Sequence, residues 1–378
     1  GKGCIDYEDT NDNGLYDEGE PCNDDALTSD IAKLNEQLAN QTEQNNNLSE
    51  QLQNSNEDNS ELLSAIANFT AQIQSLNEQI QNGTEDNNEL LSEIANLTAQ
   101  IENLNEQIVN LNEENERLSV YQPRSKVGLK IAVDMWIADS DSANSIYGHI
   151  STWNTSFITN MSSLFAGNYT FNGDISDWDV SSVTDMSYMF RYAGDFNRDI
   201  GDWDVSSVTD MSYMFSRADS FNQDLSNWDV SSVTDMSSMF LKCYMVGVSG
   251  WKVSNVRNMK YMFVRCRFID GGNDSNYWNW DVSSVTDMMG MFQECDTFNG
   301  DISLWKVSKV TDMNHMFYGC TLFNEDLSSW EDSTSTVRYV RNMSNMFKGC
   351  TAFNQDLSSW NTKTVSNMSS MFQGCNKF

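Results

Sequence analysis

Tryptophan recurs at Trp153, Trp178, Trp203, Trp228, Trp251, Trp280, Trp305, Trp330 and Trp360, with successive spacings of 25, 25, 25, 23, 29, 25, 25 and 30 residues. A period this regular restricts the C-terminal part of the chain to tandem units, each burying its apolar side only against its neighbours. The unit reads W-D-V-S-S-V-T-D-M-S-x-M-F, then Cys or Ala, then F-N-x-D-I/L-S. Ser182-Val183-Thr184-Asp185 has the form of a helix start, after which Val183, Met186, Met189 and Phe190 share one helical face. Ile175, Trp178 and Val180 read as a short extended segment. The expectation is one strand and one helix per unit: an α/β repeat solenoid of leucine-rich-repeat type, with nine repeats of about 25 residues filling 153–378. The recurring Trp, Met and Phe then form the core. The Asn of each F-N pair (Asn172, Asn197, Asn222, Asn299, Asn324, Asn354) is expected to form a buried ladder bonded to backbone. Residues 120–152 are a linker and N-terminal cap, with Ala132, Met135 and Trp136 over the first repeat.

Upstream the periodicity changes. Residues 27–119 follow a heptad register, with Ile31, Leu38, Ile66, Ile73, Ile94, Ile101 and Ile108 among the a positions. Leu34, Leu62, Leu76, Leu90, Leu97 and Leu104 are among the d positions. Such a seam predicts a long parallel α-helical coiled coil that needs partner chains, as a dimer or a trimer. Asn45, Asn59, Asn87 and Asn115 at a would fix its register, whereas Gln41, Ser55 and Gly83 interrupt d. Residues 56–81 and 84–109 are near copies offset by four heptads.

Residues 1–26 contain Asp9-Thr10-Asn11-Asp12-Asn13-Gly14-Leu15-Tyr16-Asp17-Glu18-Gly19-Glu20. This is the twelve-residue calcium-loop pattern and resembles EF-hand loops over those residues alone, with no helix-forming segment before Asp9. Asp9, Asn11, Asn13, the Leu15 carbonyl, Asp17 and Glu20 would ligate a structural Ca2+. The same acidity also suits a solvated turn. Cys4 and Cys22 flank the loop and could close it as a disulfide.

The remaining cysteines, Cys243, Cys266, Cys295, Cys320, Cys350 and Cys375, share one repeat position, filled by Ala193 and Ala218 elsewhere. Two readings stay open: rung-to-rung disulfides, or small buried thiols. The even count favours an oxidising compartment. Asp179, Asp204, Asp229 and Asp281, with Asp185, Asp210, Asp235, Asp287 and Asp312, read as helix caps or a cation ladder. Sequons lie at Asn40, Asn47, Asn68, Asn82, Asn96, Asn154, Asn160, Asn168, Asn273, Asn342 and Asn367; the five in the heptad segment all fall at solvent-facing c positions.

The net charge of −33 argues against nucleic acid and bare anionic lipid as partners. No apolar run is long enough to span a membrane. The start at Gly1 fits a mature secreted product. The two histidines, His149 and His315, sit in no nucleophile motif, and no phosphate loop or zinc signature occurs, so an enzyme is not expected.

The W-D-V-S-S-V-T-D-M-S-x-M-F run, the F-N-x-D-I/L-S link and the preceding Ile131-Ala132-Val133-Asp134-Met135-Trp136 resemble the BspA-like leucine-rich-repeat surface proteins over roughly 128–378. Their repeat domain of unknown function occurs in mycoplasma, marine bacterial and algal surface proteins. The resemblance implies an extracellular or cell-surface protein for adhesion or recognition, without enzymatic activity. The expectation is a stalk-and-head protein, multivalent through residues 27–119, whose head binds a glycan or protein. The alternative is a structural subunit of an extracellular filament or sheath, with another subunit covering the open repeat at Phe378.

Overall fold

The computed structural model describes residues 57, 59–79, 87–245, 247–268, 278–331, 337 and 339–378. The calcium-loop residues Asp9, Asn11, Asn13, Leu15, Asp17 and Glu20, together with Cys4, Cys22, Asn40, Asn47, Asn82 and Asn273, lie outside them.

The heptad segment does not form a long parallel coiled coil. Its described part is two helices, α1 (residues 59–79) and α2 (Asn87–Ser119). Leu76 packs with Leu97, supported by Phe69, Ile73 and Ile94. The Asn59 amide donates to Asn112 Oδ1 at 2.9 Å. Residue numbers thus rise on one helix as they fall on the other, so the helices pair antiparallel within one chain. Within the described helices the chain itself covers part of the apolar seam that a second chain was expected to cover: Leu76 and Leu97 are buried, and Leu62, Ile66, Ile101, Leu104 and Ile108 are half-buried.

After Pro123, Ser125 caps α3 (Lys126–Ala138) by accepting from the Gly128 amide. Asp139 does the same for α4 (Ser140–Tyr147) through the Ser142 amide. Leu129, Ala132 and Val133 of α3 are fully buried in one core cluster with Tyr121, Trp153 and the repeats, and Trp136 packs at its edge.

From Trp153 onward the expected α/β solenoid of strand-and-helix units is not what forms. Among the described residues of the repeats there is no α-helix, and the one sheet is the two-residue pair β1 (Tyr244–Met245) and β2 (Arg267–Phe268). Each unit is a succession of turns. One parallel bridge recurs between successive units in the series Asn160, Asp185, Asp210, Asp235, Asn258, Asp287, Asp312, Asn342, Asn367, which defines rungs 1 to 9.

The reason is visible in the M-S-x-M-F segment. Tyr188 and Tyr192 have φ of 59° and 60°, Tyr213 and Arg217 57° each, and both positions keep a positive φ in every rung. A left-handed residue cannot continue a right-handed helix. Two of them four residues apart turn alternate amides outward. Met186, Tyr188, Phe190 and Tyr192 donate to the carbonyls of Asp210, Ser212, Met214 and Ser216 of the next rung at 2.8–2.9 Å. The amides between them close turns within the rung, such as Met189 to Met186 O at 3.2 Å and Ala193 to Phe190 O at 2.9 Å. Val183, Met186, Met189 and Phe190 are still fully buried, because successive turns return every third or fourth side chain to the same side.

Packing runs in columns along the rung axis. Phe165, Phe190, Phe215, Phe240, Phe263, Phe292, Phe317, Phe347 and Phe372 stack with centroids 5.3–5.9 Å apart. Trp251, Trp280 and Trp305 stack at 6.2 Å. Each of Trp178, Trp203, Trp228, Trp251, Trp305, Trp330 and Trp360 also donates its indole N–H to a carbonyl of the rung before, as Trp228 does to Ile200 O at 2.9 Å. One column thus supplies both apolar burial and a rung-to-rung hydrogen bond.

Candidate functional site

The aspartates expected to cap helices hold turns instead. Asp204 Oδ1 accepts from the Ser206 amide at 3.1 Å and its hydroxyl at 2.6 Å; Asp179 does the same with Ser181. The Ser206 hydroxyl and then its amide hold the Asp204 carboxyl below the usual range, and Ser231 does so for Asp229. The bridge residues use the same device, as in the Ser212 amide to Asp210 Oδ1 at 2.8 Å. Their second oxygen looks along the column. Asn160 donates to Asp185 Oδ2 at 2.8 Å and Asn258 to Asp235 Oδ2 at 2.9 Å. Among the described residues no cluster of His, Cys, Asp or Glu is arranged to hold a metal.

Asp287 lies against Asp312 in this column. Burial pushes its carboxyl above the usual range, and Asp312 adds to the effect, while the Met289 amide opposes it. An acid whose folded-state pKa is raised favours folding in its protonated form. That contribution is lost as pH rises from the unfolded-chain value through the folded one. Asp287→Asn, the residue used at 160, 258, 342 and 367, is therefore expected to stabilise the protein at pH 7. Solvent screening at this half-exposed site limits the gain to under about 1 kcal/mol. The gain should vanish near pH 3; urea melts at both pH values check it.

The F-N asparagines form a ladder, but at the surface rather than buried. The amides of Asn197, Asn222, Asn324 and Asn354 donate to Oδ1 of Asn172, Asn197, Asn299 and Asn324 at 2.7–3.1 Å.

The repeat cysteines are thiols in the structure, and the rung-to-rung disulfides are not formed. Each Sγ–H points to the Phe carbonyl of the rung before: Cys243 to Phe215 O at 2.7 Å, Cys295 to Phe263 O at 2.8 Å, Cys320 to Phe292 O at 3.0 Å and Cys350 to Phe317 O at 2.9 Å. Cys266 and Cys375 repeat the contact with Phe240 O and Phe347 O. Burial raises the Cys243 thiol to about 12 and raises the others as well. Native protein treated with a maleimide at pH 8 should label at Cys375, the half-buried member, well before Cys243, Cys266, Cys295, Cys320 or Cys350. Peptide mass mapping checks the order.

Among the sequons, Asn68 and Asn96 are exposed on α1 and α2. Asn160 and Asn342 spend the amide nitrogen that would carry a glycan on Asp185 and Asp312. Asn154 and Asn367 accept at Oδ1 from the amides two residues on, Ser156 and Ser369, and Asn168 is half-buried. His149 packs edge-on against Trp136, and His315 occupies a left-handed position beside Tyr318.

Periodicity did not single out the two left-handed columns. The first holds Ser163, Tyr188, Tyr213, Ser238, Tyr261, Gly290, His315, Asn345 and Ser370. The second holds Gly167, Tyr192, Arg217, Lys242, Arg265, Glu294, Gly319, Gly349 and Gly374. Glycine adopts this conformation freely, whereas other residues cost roughly 1–2 kcal/mol there. The first column nonetheless carries tyrosine in rungs 2, 3 and 5, and the second carries large side chains in rungs 2 to 6. Tyr188 and Tyr213 stack at 4.6 Å, 6° from parallel. The Arg191 guanidinium lies 4.9 Å from the Tyr192 ring, 5.5 Å from Tyr188 and 5.7 Å from Tyr213. Arg217 lies 5.3 Å from the Tyr192 ring, and exposed Tyr169 packs 6.1 Å from it. The stack closes at Gly290, where an added Cβ would meet the Tyr261 ring at 2.3 Å.

The geometry defines a tandem-repeat protein whose units contact one another rung by rung and display side chains from turns. Residues 135–247, 241–338 and 333–378 match DUF285, the Mycoplasma protein of unknown function family, and the chain belongs to that family. No curated protein and no solved structure matches.

Proposed function

We propose that the repeats act in recognition or adhesion outside the cell, without catalysis, through the left-handed face of rungs 2 to 5. The observation that carries this reading is the placement of Tyr188, Tyr192, Tyr213 and Arg217 at positions where glycine would relieve strain. Side chains kept at an energetic cost on a surface point to use of that surface. The resemblance to BspA-like surface proteins supports the same reading, as does a composition suited to solubility at net charge −33. No described helix is long and apolar enough to cross a membrane.

Saturable binding of the labelled full chain to intact cells or extracellular matrix, weakened by Arg217→Glu, is the expected result. Absence of saturable binding contradicts it. Within this reading a structural Ca2+ sits at Asp9, Asn11, Asn13, Leu15, Asp17 and Glu20. Calorimetric titration should show one calcium site that Glu20→Gln weakens by at least about tenfold.

The filament or sheath subunit is the alternative reading, supported by tandem units that each pair with the next. Ordered polymers of the purified protein in electron micrographs would support that reading; isolated particles would oppose it.

A further inference from the structure

We infer that the Tyr188–Tyr192–Tyr213 cluster, with Arg191 and Arg217, binds an acidic polysaccharide bearing carboxylate or sulfate groups. The inference rests on the recognition reading and names its ligand class.

Three observations converge. First, Tyr188, Tyr192 and Tyr213 are half-exposed and repeat with the rungs; Tyr188 and Tyr213 stack face to face, so ring edges rather than ring faces line the axis. The phenol hydroxyl on such an edge both donates and accepts hydrogen bonds, which suits the hydroxyl groups of a sugar chain. Second, the cluster sets guanidinium groups among those rings in a chain whose net charge is −33. Arginine matches carboxylate and sulfate oxygens with paired N–H donors. Arg191 Nε is buried and has no hydrogen-bond partner, so the group enters the site with an unmet donor. Third, the second column carries Tyr192, Arg217, Lys242, Arg265 and Glu294 in rungs 2 to 6. In the second column, rungs 1, 7, 8 and 9 carry Gly167, Gly319, Gly349 and Gly374. Stacking of the fold alone does not call for tyrosine or arginine at these positions.

Charge and shape together select the class. A neutral glycan would leave the guanidiniums unpaired. An acidic peptide lacks the row of hydroxyl groups that a sugar chain brings to the phenol edges. Nucleic acid affinity rests on many phosphate contacts, and two guanidiniums amid an acidic surface supply few.

The test uses the full chain in biolayer interferometry against immobilised polygalacturonate and dextran sulfate, which separate carboxylate from sulfate. Dextran, poly-L-glutamate and oligothymidylate serve as comparators. The expected result is binding to at least one acidic polysaccharide about tenfold or more tighter than to any comparator. Arg191→Gln with Arg217→Gln should weaken it by about tenfold. Tyr213→Gly should also weaken it while leaving the thermal midpoint unchanged or higher, since glycine suits φ of 57°. A Tyr213 that merely packs would instead lower the midpoint and leave binding intact. Equal affinity for all polyanions, tightest binding to oligothymidylate or poly-L-glutamate, or no effect of the variants overturns the inference. Retained binding to intact cells with no affinity for either polysaccharide overturns the ligand class and leaves the recognition reading standing. Loss of both overturns both.

Discussion

Trp228→Ala is expected to cost about 3–5 kcal/mol, the largest loss of any single truncation in the middle rungs. The indole is 3% exposed and packs 6.2 Å from Phe215, so truncation leaves a cavity between rungs. It also removes the shorter of the two hydrogen bonds to Ile200 O, which then keeps only the Trp203 amide at 3.2 Å. Trp228→Phe keeps most of the volume and loses the hydrogen bond, so it should cost about 1–3 kcal/mol. The difference between the two variants in urea unfolding separates the packing share from the hydrogen-bond share. Equal costs would mean that the column works by volume alone.

Phe240→Asp is the second. Phe240 lies between Phe215 at 5.7 Å and Phe263 at 5.8 Å, both rings within 4° of parallel, and the site is 1% exposed. A carboxylate there has no cation within the column. Its burial should cost more than about 4 kcal/mol at pH 7. Because each rung contacts only its neighbours, the loss should be local before it is global. Hydrogen exchange should show amides of rungs 3 to 5 exposed while Val310, Met316 and Phe347 stay protected. The variant should recover part of its stability as pH falls, since protonation removes the charge. A uniform loss of protection along the chain would show that the rungs fold as one unit.

The sequence reading and the structure agree on what is buried and part company on how. The spacing of Val183, Met186, Met189 and Phe190 correctly implied a shared apolar side, but i, i+3 and i+4 recurrence is not unique to helices. Turns with a left-handed residue every fourth position yield the same burial. The sign was present in the repeats themselves. Gly290 stands where other units have Tyr188 or His315, and Gly319 where others have Arg217. A column that exchanges glycine for large residues marks a positive φ. The heptad segment misled for a similar reason. Its pattern of Ile and Leu fixes an apolar seam but not which chain covers it. Gly83, at a d position, interrupted that apolar pattern between the stretches that fold as α1 and α2. The Tyr–Arg cluster had no period-based signal, because it depends on which side chain each rung places at the left-handed positions rather than on what all nine share.

The account stands on the backbone of the M-S-x-M-F segment, since left-handed turns both exclude the helix and present the tyrosines. NMR scalar couplings and chemical shifts of the full chain at Tyr188, Tyr192, Tyr213 and Arg217 measure this directly. The account predicts positive φ at all four, near the 57–60° of the structure. Values near the −63° of an α-helix at these residues would contradict it.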